Sequence, residues 1–175
     1  MNLHHRAGWG MLLTVGIGLN ACARPAPSSA DAKAPTGTAP AAITAALPHV
    51  LVYKDPMCSC CDRWVDHLRK AGFEVEVRND TNLTALKEQR GVPSGKGSCH
   101  TAEVGGYVIE GHVPVEDIRR LLADKPDARG LTLPGMPIGS PGMEVPDGRA
   151  DAFTVELITR DGSTGAFASH AGNHP

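Results

Sequence analysis

Three cysteines crowd into residues 58–61, which read Cys-Ser-Cys-Cys, directly after an apolar run at 49–53 and at the start of an amphipathic segment. The cysteines of a disulfide framework are spread along a chain to close loops, whereas thiols in the first turn of a helix share a field that favours the thiolate. Thiolates in that position either exchange electrons or hold a soft metal ion. The cluster therefore predicts a reactive site and not a structural crosslink.

The hydrophobic pattern around the cluster alternates between strand and helix periods. Strands are predicted at 49–53, 73–77, 107–109 and 153–158, and helices at 58–70, from 82 or 83 to 91, and at 115–123. The first of these strands is expected to be fully buried. This order predicts an α/β fold with parallel strand pairs covered by helices. A Cys-x-x-Cys spacing after the first strand is the thioredoxin-like placement, with Cys60 inserted inside it.

The C-terminal part changes in character. Residues 131–144 contain too many prolines and glycines for a helix or a central strand, so they predict a long loop whose methionines, Met136 and Met143, argue for a function. The turn at 161–162 predicts a closing hairpin between 153–158 and 166–168. The residues from His170 onward predict a loose tail.

The first 48 residues predict an export signal followed by a tether. Residues 1–21 predict a lipoprotein signal peptide, and Cys22 is the predicted lipidated residue; ordinary secretion with Cys22 as a stray thiol is the alternative. Residues 22–48 are rich in Ala and Pro and predict a flexible tether. The remaining boundaries are a core at 49–125, an extension at 126–170 that completes the site, and a tail at 171–175. We expect a periplasmic protein anchored to a membrane, with the outer membrane favoured over the inner.

The net charge of −2 gives no indication of a nucleic-acid partner, and a monomer is expected. Two chemistries fit the cluster. In dithiol exchange, Cys58 attacks and Cys61 resolves, but Cys60 in the same turn would divert the mixed disulfide. In metal binding all three thiolates are used, and thioethers narrow the choice toward copper. Zinc is the main rival, although a second Cys-x-x-Cys pair is missing, and an iron–sulfur cluster fits less well.

Further ligands are expected from the loops. Cys99 precedes the third predicted strand, whose start should lie near the first helix; the alternatives are a small buried residue or a disulfide to Cys58 or Cys61. The other candidates are His112, Met136 and Met143, with His100 and Glu144 left open. His170 and His174 belong to the predicted tail, where their spacing would bind Cu(II) only weakly.

Residues 50–145 resemble the CopG-type family of bacterial periplasmic metal-binding proteins. The resemblance rests on four segments in order, at 53–61, 98–102, 107–114 and 134–144. It implies a thioredoxin-like mixed sheet with flanking helices and a C-terminal extension rich in Met, Gly and Pro, which helps to form a cysteine-bridged copper site. It also implies a role in interconverting Cu(I) and Cu(II), or in buffering copper ahead of efflux.

The sequence thus predicts a periplasmic copper-binding protein of copper resistance, with more than one thiolate-bridged copper ion. The predicted ligands are Cys58, Cys60, Cys61, Cys99, His112, Met136 and Met143. Copper efflux or chaperone proteins are the expected partners, and a copper oxidoreductase activity is left open. The alternatives are a thiol–disulfide oxidoreductase that uses Cys58 and Cys61 and a structural lipoprotein that does not bind copper.

Overall fold

The computed structural model describes residues 46–173. The predictions for the signal peptide, for Cys22, for most of the tether and for His174 lie outside this range. Within it, no helix is long and apolar enough to cross a membrane.

Seven strands and three helices make up the described part of the chain. In order they are β1 (Val50–Lys54), α1 (Ser59–Lys70), β2 (Val75–Asn79), α2 (Leu83–Arg90), β3 (His100–Val104), β4 (Tyr107–Glu110), α3 (Val115–Asp124), β5 (Ala128–Thr132), β6 (Phe153–Thr159) and β7 (Thr164–His170). The strands form one sheet in the order β2-β1-β3-β4-β5-β6-β7. Strand β1 is parallel to β2 and β4 is parallel to β5, while the other neighbours are antiparallel. The predicted α/β fold with a mixed sheet and flanking helices is confirmed.

The helices begin and end within one residue of the predicted bounds. The apolar stripe of α1, at Cys61, Trp64, Val65 and Leu68, is fully buried and joins one core with residues of the sheet and of α3. Helix α2 ends at Gly91, which adopts a left-handed conformation, and α3 begins directly after Pro114. Because α1 packs along its whole stripe, its first turn holds a fixed position above the end of β1.

Strands β1 and β2 differ in detail from the prediction. Strand β1 alternates between buried and half-buried residues instead of being fully buried. On its second face the half-buried ring of Tyr53 lies against Arg90, whose guanidinium carbon is 5.7 Å from the ring centre. Strand β2 begins at Val75, two residues later than predicted, because Phe73 turns into the core.

Two strands were not predicted from the sequence. Strand β3 forms a hairpin with β4 across the Gly105-Gly106 turn, so the strand predicted as the third is the fourth. Strand β5 lies centrally between β4 and β6, although part of it falls in the segment predicted as a loop. Glycine at position 130 permits this, since an added Cβ would lie 1.8 Å from the carbonyl oxygen of Val108 in β4.

The hairpin of β6 and β7 is confirmed, but it includes a residue that was predicted as tail. His170 ends β7, where its ring stacks on Phe153 at 4.6 Å between ring centres. Its Nε2 lies 2.7 Å from a carboxylate oxygen of Asp117 in α3. His170 therefore fixes the end of the hairpin to a helix, at a place separate from the cysteines.

Candidate metal centre

Three of the site cysteines are held by the turn that joins β1 to α1. The amide of Cys58 donates to the carbonyl oxygen of Asp55 at 3.0 Å, and the amide of Met57 donates to the Asp55 carboxylate at 2.8 Å. These bonds close a tight turn that leaves Cys58 as the N-terminal capping residue of α1. Cys60 and Cys61 follow in the first helical turn, and Cys61 is fully buried.

The fourth cysteine arrives from the residues that precede β3. The Sγ of Cys99 lies 3.4 Å from that of Cys61 and 4.0 Å from that of Cys60. All four sulfur atoms lie within 4.8 Å of one another. The structure therefore brings Cys99 to the cluster. This agrees with the expectation that the segment before the strand lies near the first helix.

Two of the four sulfurs are bonded to each other. Cys58 and Cys61 form a disulfide, and Cys60 and Cys99 are free. The predicted alternative of a disulfide from Cys99 to Cys58 or Cys61 is not what the structure shows. The described form is an oxidised one, so a site of four thiolates requires that this bond be reduced.

His112 presents a nitrogen lone pair to the cluster. Its Nδ1 lies 2.8 Å from the carbonyl oxygen of Pro141, which can only accept, so Nδ1 carries the proton. The Nε2 atom is then the unprotonated one, and it lies 3.0 Å from the Sγ of Cys99. A neutral imidazole held in this way by a carbonyl is the usual arrangement of a histidine metal ligand.

His100 is a second buried histidine that the sequence left open. Its Nδ1 lies 3.4 Å from the Sγ of Cys99, and its ring lies 4.3 Å from that of Trp64, between ring centres. Its Nε2 is buried and has no hydrogen-bond partner among the described residues. Cys99, His100 and His112 thus form a second group of potential ligands that shares Cys99 with the four cysteines.

Burial changes the proton affinity of these groups. It raises the pKa of the Cys99 thiol to about 12, with a further contribution from the neighbouring Cys60. It lowers the pKa of His100 well below its ordinary value, with help from His112 and Lys87, and it also lowers the pKa of His112. The metal-free site therefore holds a protonated thiol at Cys99 and neutral histidines, and a metal ion must displace the thiol proton.

The loop at 134–144 lies against the site. Gly142 sits on the first turn of α1, where the Nε of Arg63 donates to its carbonyl oxygen at 2.9 Å. Its amide donates to the carboxylate of Glu144 at 3.0 Å, and Glu144 lies 2.7 Å from His67. Burial alone would raise the pKa of Glu144, but the Gly142 amide and His67 hold it below its usual value. Glu144 thus fixes the loop to α1.

The methionine ligands are not decided by these contacts. Met136 is 50% exposed, and Met143 is half-buried between loop residues. The loop reaches the cluster through Pro141 and Gly142, so the assignment of Met136 and Met143 as ligands stays a prediction.

A buried carboxylate lies under the segment that carries Cys99. The side chain of Glu110 is fully buried and accepts hydrogen bonds from the Ser98 amide at 2.6 Å, from Lys87 at 2.6 Å and from the Thr101 hydroxyl at 2.7 Å. It thereby ties α2, β3 and the residue before Cys99 to β4. No sequence pattern singled it out, because the partners come from three separate segments.

Known proteins resemble this chain in sequence and in fold. The family model described as "Protein of unknown function, DUF411" matches residues 96–143, a range that includes Cys99 and His112 and ends at Met143. Two solved structures, titled "Copper resistance protein copG- Form 1" and "Form 2", are 41% identical to this chain, with TM-scores of 0.68 and 0.67. They match 72% and 71% of this chain and 99% and 98% of their own. The chain belongs to the CopG-type copper-resistance family. A search of curated proteins finds no significant match.

For a CopG-type chain, the contact of Gly142 with α1 gives a first prediction. An alanine Cβ there would lie 2.6 Å from the carbonyl oxygen of Cys60 and 2.9 Å from the amide nitrogen of Trp64, at a φ of +87°. Gly142→Ala should therefore push the loop and Pro141 away from His112 and destabilise the fold by about 1–3 kcal/mol through overpacking, beyond the backbone strain. Urea unfolding and copper affinity measure the two effects.

Gly148→Ala is the matched control, because Gly148 has a φ of +72° but nothing within 4 Å of an added Cβ. It should carry the backbone strain alone and keep the copper affinity of the parent. Equal effects of the two substitutions on affinity would contradict the role of the loop.

The buried histidines give a second prediction, for the metal-free protein of this family. The unfolded chain takes up protons near pH 6.5 at His100 and His112, whereas the lowered pKa values keep both neutral in the fold. Their contribution to stability is therefore present above about pH 6.5 and is lost as the pH falls, by up to about 1.4 kcal/mol per pH unit for each. Urea unfolding at several pH values from 7.5 to 5 measures the slope.

His100→Phe keeps an aromatic ring beside Trp64 and removes one titrating group, so its acid slope should be smaller than that of the parent. His49→Gln, at an exposed position outside the core, should keep the parent slope. The same slope in the parent and in both variants would show that His100 is not the cause.

Proposed function

We propose that this chain binds copper in bacterial copper resistance, on the thiolates of Cys58, Cys60, Cys61 and Cys99. The proposal rests chiefly on one observation, the convergence of four cysteine sulfurs within 4.8 Å of one another. Sulfur ligands of this kind select Cu(I), zinc or iron–sulfur clusters. The titles of the two related structures, which name a copper resistance protein, favour copper.

The shared position of Cys99 supports more than one copper ion. Its sulfur belongs both to the four-cysteine group and to the group with His100 and His112. A thiolate has enough lone pairs to bridge two ions, so one can lie among the sulfurs and another nearer to the imidazole of His112. Met136 and Met143 would close the site from the loop.

The proposed setting is the periplasm, with the chain held at a membrane, preferably the outer one, by a lipid on Cys22. It would act as a monomer and exchange copper with efflux or chaperone proteins. The sheet order β2-β1-β3-β4, with the cysteines at the start of the helix after β1, supports a thioredoxin-like core. A site of this kind would interconvert Cu(I) and Cu(II).

A thiol–disulfide oxidoreductase is the second candidate. The disulfide between Cys58 and Cys61, at the N-terminus of α1, is the observation that favours it, since an attacking and a resolving cysteine have this spacing. The position of Cys60 argues against it, because its Sγ lies 3.4 Å from that of Cys58 and competes for any mixed disulfide.

One experiment separates the candidates. The full chain carrying Cys22→Ser is reduced, loaded with Cu(I) without oxygen, and analysed for copper per chain and for ultraviolet thiolate-to-copper absorption. A further triple substitution of Cys58, Cys60 and Cys61 by serine is the control. Copper binding predicts at least one ion per chain that the control lacks and that excess zinc does not displace. Dithiol exchange predicts little copper and a Cys60→Ser variant that still reduces protein disulfides.

A further inference from the structure

The four site sulfurs fall into two pairs with different chemistry. Cys58 and Cys61 are joined in a disulfide, with their Cα atoms 5.3 Å apart across one helical turn. Cys60 and Cys99 are thiols whose Sγ atoms lie 4.0 Å apart, and the Nε2 of His112 lies 3.0 Å from the latter. The protein can therefore store two electrons in one pair while the other pair stays available as ligands.

The thiol pair keeps a usable metal site when the disulfide is closed. Two sulfurs that share one ion, at about 2.3 Å each as for zinc, can lie up to about 4.6 Å apart. The 4.0 Å between the Sγ atoms of Cys60 and Cys99 fits this limit, and His112 adds a nitrogen. Two thiolates and an imidazole are soft and intermediate donors that suit Cu(I).

We propose that Cys58 and Cys61 are the electron source that reduces Cu(II), while Cys60 and Cys99 retain one of the Cu(I) ions that are formed. This rests on the proposed copper-binding function. Each of the two sulfurs gives up one electron, the Cys58–Cys61 bond forms, and two Cu(II) ions become two Cu(I) ions. The two thiol protons pass to water. One reduced chain thus reduces two ions and then stops until a dithiol reductant opens the disulfide.

Two features of the helix favour Cys58 and Cys61 as the pair that is oxidised. Cys60 and Cys61 are neighbours in the chain and bridge each other only with strain. Cys58 caps α1, where the helix field favours its thiolate, and Cys61 lies one turn further along the same helix. Each free thiol lies 3.4 Å from a different bridged sulfur, Cys60 beside Cys58 and Cys99 beside Cys61, so copper passes between the pairs without leaving the cluster.

The test starts from the full chain carrying Cys22→Ser, reduced and freed of reductant without oxygen. A known amount of Cu(II) is added as the probe, and three quantities are measured: the Cu(I) captured by a Cu(I)-specific chromogenic chelator after denaturation, the number of remaining thiols, and the disulfide pairing by differential alkylation and peptide mass mapping. The expected result is two Cu(I) per chain, a fall from four thiols to two, and a Cys58–Cys61 link with Cys60 and Cys99 alkylated.

Substitutions then separate the electron source from the ligands. Cys58→Ser should reduce the yield of Cu(I) at least twofold and leave no 58–61 link; Cys61→Ala, which fills the buried position with an apolar group, should do the same. Cys60→Ser should lower the copper that stays with the oxidised protein after gel filtration. A disulfide that joins Cys60 or Cys99 in the parent, or an unchanged yield in both Cys58→Ser and Cys61→Ala, would overturn the proposal.

Loading the same chain with Cu(I) distinguishes failure of the electron-source proposal from failure of the copper-binding function. A chain that binds Cu(I) but does not reduce Cu(II) refutes only the electron source. A chain that binds neither ion refutes the copper-binding function on which the proposal rests.

Discussion

Replacing Cys99 with serine is expected to lower the affinity of the reduced chain for Cu(I) by more than about 100-fold. Loss of an outer partner of a metal ligand costs about 10–100-fold, and the loss of a ligand should exceed that. Cys99 is also the one residue that the two groups of potential ligands share. Its Sγ lies within 4.0 Å of Cys60 and Cys61 and 3.0 Å from His112. Competition with a Cu(I) chelator of known affinity measures the change.

Ser59→Ala is the matched control for that substitution. Ser59 lies in the first turn of α1 among the cysteines, but its side chain is exposed. The control should bind Cu(I) as the parent does. A Cys99→Ser chain that also binds with parental affinity would remove Cys99 from the metal site and limit the site to the first turn of α1.

Replacing Glu110 with alanine is expected to destabilise the fold by about 3–5 kcal/mol, because it leaves a largely buried Lys87 without its partner. It also removes the acceptor for the Ser98 amide and the Thr101 hydroxyl. The segment that carries Cys99 should then lose its fixed position, so copper affinity should fall in the molecules that stay folded. Urea unfolding and Cu(I) competition measure the two effects. Glu110→Gln, which keeps the shape and one acceptor oxygen, should cost less.

Glu156→Ala is the control for Glu110→Ala. Glu156 pairs with Lys96 at 2.7 Å, but both side chains are partly exposed, at 22% and 32%. Pairs of this kind contribute about 0–1 kcal/mol. If Glu110→Ala destabilises the protein no more than Glu156→Ala, the buried network does not organise the site.

The helices and strands that were predicted correctly are those whose formation depends on residues close together in the sequence. Helix α1 was predicted because its four apolar residues recur at helical spacing, and α2 because Gly91 is a local stop. Strand β3 was missed because its residues have little apolar alternation of their own, and its partners β1 and β4 supply its hydrogen bonds. Strand β5 was missed because a glycine that weakens an isolated strand is what lets this one approach Val108.

The sequence also predicted several residues that the structure brings together in the candidate site. The cluster at 58–61 follows from spacing alone, and Cys99 and His112 follow from the order of strands and helices together with the family resemblance. The role of His100 was left open, because a histidine at the start of a strand gives no sign of whether its ring lies beside Trp64 or in solvent. Glu110 was missed altogether, since a buried carboxylate is recognisable only when its three donors are in place.

The sequence by itself determined the reactive element: three thiols in the first turn of a helix, with chemistry that is limited to electron exchange or soft-metal binding. The tertiary structure decided how those thiols are divided. It paired Cys58 with Cys61, placed Cys99 beside Cys60 and His112, and brought the loop at 134–144 against His112. The reason is physical, because spacing fixes which residues share a helix turn, while contacts between distant segments depend on the packing of the whole sheet and its helices.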